Sequence, residues 1–96
     1  MAEPTFMLRL VIPDGTTEEY KVIAVTAPGE QGSLGILAHH APLVTPLVQG
    51  KLTWKYIDGV ERTVIIGQGL LEVKDDRVTV LSKSFTAPAD EKNPKP

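Results

Sequence analysis

The 96-residue chain contains no cysteine, only two histidines and only five aromatic residues. Without cysteine, the chain has no disulfides, no thiolate metal site and no cysteine nucleophile. No apolar segment approaches the roughly 20 residues that a membrane-spanning helix requires. Arg9 interrupts the apolar run near the N-terminus, where no basic region precedes it. We therefore expect neither a signal peptide nor a membrane helix.

The charge balance and length indicate a single globular domain. Formal net charge is −2, and acidic and basic residues are interspersed, so no basic stripe follows a phosphate backbone. Nucleic-acid binding is therefore disfavoured. The hydrophobic fraction of 42% is ordinary for a folded chain. From Ala87 the sequence APADEKNPKP is polar and proline-rich. We expect one domain over residues 1–86 and a disordered tail over residues 87–96.

The apolar residues recur with the two-residue period of β-strands, and helical periodicity is missing. In KLTWKYIDGVERTVII, large apolar residues alternate with polar ones, and Asp58-Gly59 supplies turn chemistry. This pattern predicts that residues 51–57 pair with residues 62–66 and that Trp54 is mostly buried. About eight strands at short spacing indicate an antiparallel sandwich or barrel.

The adjacent pair His39-His40 is the motif that most suggests metal binding or base catalysis. Neighbouring strand residues point to opposite faces, and the chain has no third histidine or cysteine ligand, which disfavours a metal site. EQGSLG around Ser33 lacks the spacing of a serine nucleophile motif. GQG at residues 67–69 lacks the third glycine and the helix of a dinucleotide site. The residues alone indicate a binding or scaffold module without catalytic residues, metal or cofactor.

Two longer stretches, GSLGILAHHAPLVTPL and GQGLLEVKDDRVTVL, resemble the epsilon subunit of the rotary ATP synthase, called delta in mitochondria. The matching motifs LGI, HAPL and LEV…VTVL keep their order over residues 8 to about 87. The resemblance implies an all-β fold, a ten-stranded sandwich of two antiparallel five-stranded sheets. It also implies a non-catalytic rotor subunit on the cytoplasmic face of the bacterial inner membrane. Such a subunit links the gamma subunit to the c ring and supports the coupling of proton flow to ATP synthesis.

The resemblance assigns partner-binding residues to two segments, the loop before LGI and the HAPL segment. The loop faces the c ring in the family, and the HAPL histidine lies near the gamma and c contacts. The residues implied are Glu30, Gln31, Gly32, Ser33, His40, Ala41, Pro42, Leu43 and Thr45. Ser33 departs from the family, which usually has an acidic residue there. His39 stands where the family usually has glycine and is interpreted as incidental.

Family members usually continue into a helical hairpin on which self-inhibition and ATP sensing depend. This sequence stops soon after TVLSKSFTA, either as a natural short form, which its proline-rich end favours, or as part of a longer chain. Without the hairpin, we expect neither inhibition of ATP hydrolysis nor ATP binding.

Two alternatives from other functional classes remain open at the level of sequence. The first is a free-standing β-sandwich that binds a peptide or carbohydrate through exposed Trp54 and Tyr56. The second is a small cupin-like metal enzyme that uses His39 and His40. Burial of Trp54 would argue against the first alternative, and bound metal would favour the second.

Overall fold

The structure, a computed structural model, describes residues 4–86, which form ten β-strands and no helix. The strands are β1 (Phe6–Val11), β2 (Thr17–Val22), β3 (Ala24–Gly29), β4 (Gly32–Leu37), β5 (Leu43–Leu47), β6 (Gly50–Lys55), β7 (Glu61–Ile66), β8 (Gly69–Lys74), β9 (Arg77–Ser82) and β10 (Phe85–Thr86). The all-β class and the count of ten strands are confirmed. Within the described range, no segment is a helix long and apolar enough to cross a membrane. The tail expected over residues 87–96 lies outside the described range.

The ten strands form two groups of five that meet at one backbone pair. One group has the order β10-β7-β6-β3-β4, and the other has the order β5-β8-β9-β1-β2. Gly29 of β3 pairs with Leu47 of β5, which joins both groups into one continuous, curled ladder. The expected pair of separate sheets is therefore corrected to two halves of one hydrogen-bonded sheet.

One strand pairing also corrects the expectation of purely antiparallel sheets. β1 and β9 run parallel, with Met7 opposite Arg77 and Val11 opposite Leu81. The two strands come from opposite ends of the chain, so no hairpin turn imposes an antiparallel arrangement on them. All other strand pairs are antiparallel.

The core lies between the two halves and follows the alternation in the sequence. In β1, Phe6, Leu8 and Leu10 are buried while the residues between them are partly exposed. The predicted β6–β7 hairpin is confirmed, with Lys51 opposite Ile65. Trp54 is 3% exposed, so its predicted burial is also confirmed.

The β7–β8 junction explains the GQG motif as a structural feature. A Cβ atom on Gly69 would overlap the main-chain carbonyl oxygen of Leu81 on the neighbouring strand, so only glycine allows this approach. The Gly67 N–H donates to Ser82 Oγ at 3.1 Å, and that hydroxyl donates to the Ser84 carbonyl at 2.8 Å. These contacts hold the junction against the end of β9.

Candidate functional site

The β3–β4 hairpin presents the first predicted partner-binding segment at its tip. Gly29 pairs with Gly32, which leaves Glu30 and Gln31 as an exposed two-residue connection. Gly32 has a φ of 122°, a conformation that residues with a Cβ atom rarely adopt. The glycine therefore fixes the shape of the tip, and both polar side chains at the connection are available for contacts.

Residues from β5 face the hairpin tip across an open cleft of about 420 Å³. The cleft brings together six of the nine predicted residues. They are Glu30, Gln31, Gly32, Ser33, Leu43 and Thr45. Among the described residues that line the cleft, Glu30 is the only charged one, and the others are uncharged polar, apolar or glycine residues. The cleft is therefore suited to hydrogen bonds and close main-chain contact rather than to a highly charged ligand.

The remaining predicted residues, His40, Ala41 and Pro42, precede β5 and do not line this cleft. All three are exposed. The His40 ring atom Nδ1 lies 2.7 Å from the Ala41 carbonyl oxygen, so the ring folds back onto its own loop. The segment forms a surface separate from the cleft lining but connected to it through β5.

His39 fixes this loop, a role that the sequence analysis missed. Its φ is 66°, and its N–H donates to Asp76 Oδ1 at 2.6 Å. The His39 ring atom Nδ1 lies 3.2 Å from Asp76 Oδ2. The carboxylate thus ties the loop before β5 to the β8–β9 turn. The resemblance supplied the available signal, because it implies a glycine at this position, and glycine is typical of a left-handed backbone.

The two histidines are engaged separately and do not converge on one point. His39 faces Asp76, whereas His40 contacts the Ala41 carbonyl. Across residues 4–86, no three His, Cys, Asp or Glu side chains are grouped so that they could hold a metal ion.

A second surface feature escaped the sequence analysis: an apolar row across the outer face of β5, β8, β9 and β1. The row consists of Pro46, Leu70, Leu81 and Val11, which lie opposite one another on successive strands. Leu70 is 40% exposed and Leu81 is 41% exposed. Each neighbours a buried residue in sequence, so alternation predicts a polar residue where each leucine stands. That mismatch was the available signal for a contact surface.

Charged residues continue the same face beyond the apolar row. Arg9, Thr79 and Glu72 occupy the next outward positions on β1, β9 and β8, and Arg77 lies one step further along β9. These four residues border a polar depression together with Lys74 and Asp75, and all of them except Thr79 are charged. Arg9 Nε also lies 3.2 Å from Glu19 Oε2 on β2. An apolar centre with a charged border is the usual composition of a protein–protein interface.

The aromatic residues pack together rather than forming an exposed platform. Tyr20 stacks on Trp54 with ring centroids 5.0 Å apart, and Tyr56 meets Tyr20 edge-on. Burial raises the pKa of Tyr20 to about 12, and its hydroxyl donates to Glu18 Oε1 at 2.7 Å, which acts in the same direction. Burial of Trp54 removes the feature on which the carbohydrate- or peptide-binding alternative depended.

The chain matches the family model of the ATP synthase delta/epsilon chain beta-sandwich domain over residues 5–88. The ATP synthase epsilon chain of Syntrophomonas wolfei is 39% identical over 84 residues, which are 88% of this chain and 61% of that protein. The ATP synthase epsilon chain of Halalkalibacterium halodurans is 38% identical over 87 residues, 91% of this chain and 65% of that protein. The chain thus spans less than two thirds of the length of these relatives.

Solved structures of ATP synthases contain chains of the same fold. A chain of the Euglena gracilis mitochondrial ATP synthase, solved as OSCP/F1/c-ring, superimposes with a TM-score of 0.80 at 26% identity, covering 85% of this chain and 52% of that one. A chain from the central stalk and c-ring of the Tetrahymena thermophila enzyme gives 0.73 at 16% identity, covering 97% and 77%, a likeness of fold alone. Sequence and architecture agree, and the chain belongs to the ATP synthase delta/epsilon chain family, of which it carries the beta-sandwich domain.

Proposed function

We propose that this chain is a non-catalytic central-stalk, or rotor, subunit of a proton-translocating ATP synthase. In this role it links the gamma subunit to the c ring and supports the coupling of ion flow to ATP synthesis. Its place would be the cytoplasmic face of the bacterial inner membrane, where only the complex attaches it to the bilayer. Family membership supports the proposal, and so do the relatives named as ATP synthase epsilon chains.

The observation that carries the linking role is the meeting of two unlike surfaces at β5. Leu43 and Thr45 of β5 face the polar hairpin tip, while Pro46 belongs to the apolar row on the outer face. A subunit that connects two different partners needs two separate contact surfaces on one rigid body. This strand supplies part of both.

The hairpin tip suits the polar loops of the c ring. Glu30 and Gln31 are exposed at the two-residue connection, and the main chain at Gly32 is open to contact, since a Cβ atom there would meet no neighbour. Ser33 offers a hydroxyl where the family usually has a carboxylate. We therefore propose that hydrogen bonds contribute more of the binding free energy at this contact, and charge–charge attraction less, than in a relative with a carboxylate at this position.

The apolar row suits the gamma subunit. Leu70 and Leu81 present adjacent apolar groups, and the charged residues beyond them supply a polar rim. Burial of exposed apolar surface is the main favourable term in most protein association, and a charged rim fixes orientation. The loop that holds His40 leads directly into β5, which belongs to the half of the sheet that carries the apolar row.

The test replaces both Gln31 and His40 by glutamate in the reconstituted enzyme. Both side chains are exposed, so folding should be preserved. The two added carboxylates should weaken the contact, because they repel negative charges of the partner or lose their hydration when the contact covers them. We expect weaker assembly and reduced proton pumping, with an unchanged circular dichroism spectrum as the folding control. Normal pumping by the double variant would contradict the assignment of this surface.

A further inference from the structure

The β4 strand has one free edge in the described part of the chain. Over residues 4–86 it pairs with β3 alone. The Pro28 carbonyl on β3 accepts from the Val48 N–H at 2.9 Å, so the main chain of residue 28 faces away from β4. Ser33 lies opposite Pro28, and hydrogen-bonded and non-hydrogen-bonded pairs alternate in an antiparallel ladder. Ser33, Gly35 and Leu37 therefore direct their N–H and C=O groups outward.

The free edge of β4 differs from another free edge of the sheet in its lack of charge. β4 reads GSLGIL and carries no charged residue and no proline. β2, which ends the other group of strands, reads TEEYKV and includes Glu18, Glu19 and Lys21. Charged residues on edge strands prevent unwanted strand pairing. β2 is thus protected from additional strands, whereas β4 is left able to accept one.

The side chains of β4 leave room for a neighbouring strand. Beyond Gly35 itself and its two chain neighbours, a Cβ atom on Gly35 would meet no heavy atom within 4 Å, and Leu37 is 64% exposed. Ile36 is 1% exposed and anchors the strand to the core, so the edge is held in place. Three outward-facing residues on a fixed strand offer main-chain donors and acceptors at the spacing of an extended chain.

We propose that a partner chain completes the sheet by adding an extended, uncharged segment along β4. The segment would pair its main chain with Ser33, Gly35 and Leu37 and place an apolar side chain beside exposed Leu37. This inference rests on the proposed function, because the partner is taken to be part of the stalk assembly. β4 begins at Gly32 and Ser33, within the candidate contact site, so the added strand would continue that contact.

The first experiment measures amide hydrogen exchange of the 96-residue chain alone and bound to an assembled gamma–c-ring complex. The expected result is new protection at Ser33, Gly35 and Leu37. Protection at Leu34 and Ile36 should already be high in the free chain, since their N–H groups face β3. Unchanged exchange at the three outward amides in the bound chain would overturn the inference.

Three variants separate the main-chain contact from side-chain effects. Gly35→Pro removes one outward N–H without removing a β3–β4 hydrogen bond, and Gly35→Ala adds a side chain but keeps the N–H. Lys21→Pro is the matched control, because the Ile12 N–H donates to the Thr16 carbonyl and the alternation turns residue 21 outward on β2. We expect Gly35→Pro to weaken binding about tenfold, and the other two variants to bind within about twofold of the unchanged chain.

The outcomes distinguish failure of this inference from failure of the proposed function. If the unchanged chain does not bind the gamma–c-ring complex, the proposed function fails and this inference fails with it. If it binds and Gly35→Pro binds equally well, the strand addition alone is wrong. Should Gly35→Pro unfold, Gly35→Lys replaces it, because a charge on the edge strand disfavours strand pairing and should weaken binding as well. A dimer of the free chain that Gly35→Pro abolishes would overturn the inference in favour of a second copy as the occupant.

Discussion

Replacing the two leucines of the apolar row should separate partner binding from folding. The double variant Leu70→Lys/Leu81→Glu places opposite charges on residues that face each other across β8 and β9. Such a cross-strand pair is compatible with the sheet, and the long side chains keep apolar stems over the positions that the leucines cover. Folding should therefore be largely preserved, while the surface loses its apolar character.

The magnitude follows from the exposure of the two side chains. Full burial of a leucine is worth about 1.5–3 kcal/mol, and Leu70 and Leu81 each leave two fifths of their area exposed. Covering that remainder contributes about 1 kcal/mol per leucine, or about 2 kcal/mol for the pair. Losing it should raise the Kd for the gamma subunit about 30-fold, and desolvation of the new charges would raise it further.

The assay is calorimetric titration of the gamma subunit, with a thermal melt of each variant as the folding control. The matched variant Ile57→Lys/Val60→Glu changes two residues of the β6–β7 turn that are 56% and 51% exposed but lie outside the apolar row. It should bind gamma like the unchanged chain. Equal affinity of both double variants would refute the assignment of the apolar row as the gamma surface.

Three further predictions concern the fold and the loop before β5. Gly69→Ala should destabilise the chain by about 3 kcal/mol or more, because its Cβ atom would overlap a carbonyl of β9. Gly35→Ala should change the free energy of unfolding by no more than about 0.5 kcal/mol, and thermal melts of the two variants would compare these effects. Asp76→Ala should cost about 1 kcal/mol more in urea unfolding than Asp75→Ala, since both have positive φ but only Asp76 holds the loop; equal costs would contradict this. Tyr20 should ionise near pH 12 rather than 10, so the stability that its partly buried neutral form contributes is complete below pH 10 and is lost as the pH rises towards 12. Ultraviolet titration of the unchanged chain against Tyr20→Phe checks this, and a Tyr20 transition near pH 10 would disprove it.

The local features of the fold were predictable because short sequence patterns determine them. Asp58-Gly59 and the flanking alternation identified the β6–β7 hairpin, and the same alternation indicated the burial of Trp54. The strand pairing between β1 and β9 was not predictable in this way, since it joins distant segments without a turn of its own.

The candidate site was predictable only in part. The resemblance led to Glu30–Ser33 and to His40, and the structure brings the first segment together with Leu43 and Thr45. The resemblance did not indicate that His39 ties its loop to the β8–β9 turn, because that contact depends on two segments far apart in the sequence. The apolar row also depends on the register of four strands, which no single segment specifies.

The most direct test of the proposed rotor role is whether the purified 96-residue chain joins the gamma subunit and the c ring. The chain would be mixed with an assembly that lacks this subunit, and the product would be analysed by size-exclusion chromatography with light scattering. We expect an equimolar, stable complex with gamma at micromolar concentration and restored proton-driven ATP synthesis. A chain that stays folded but elutes separately and restores no synthesis would contradict the proposed rotor role.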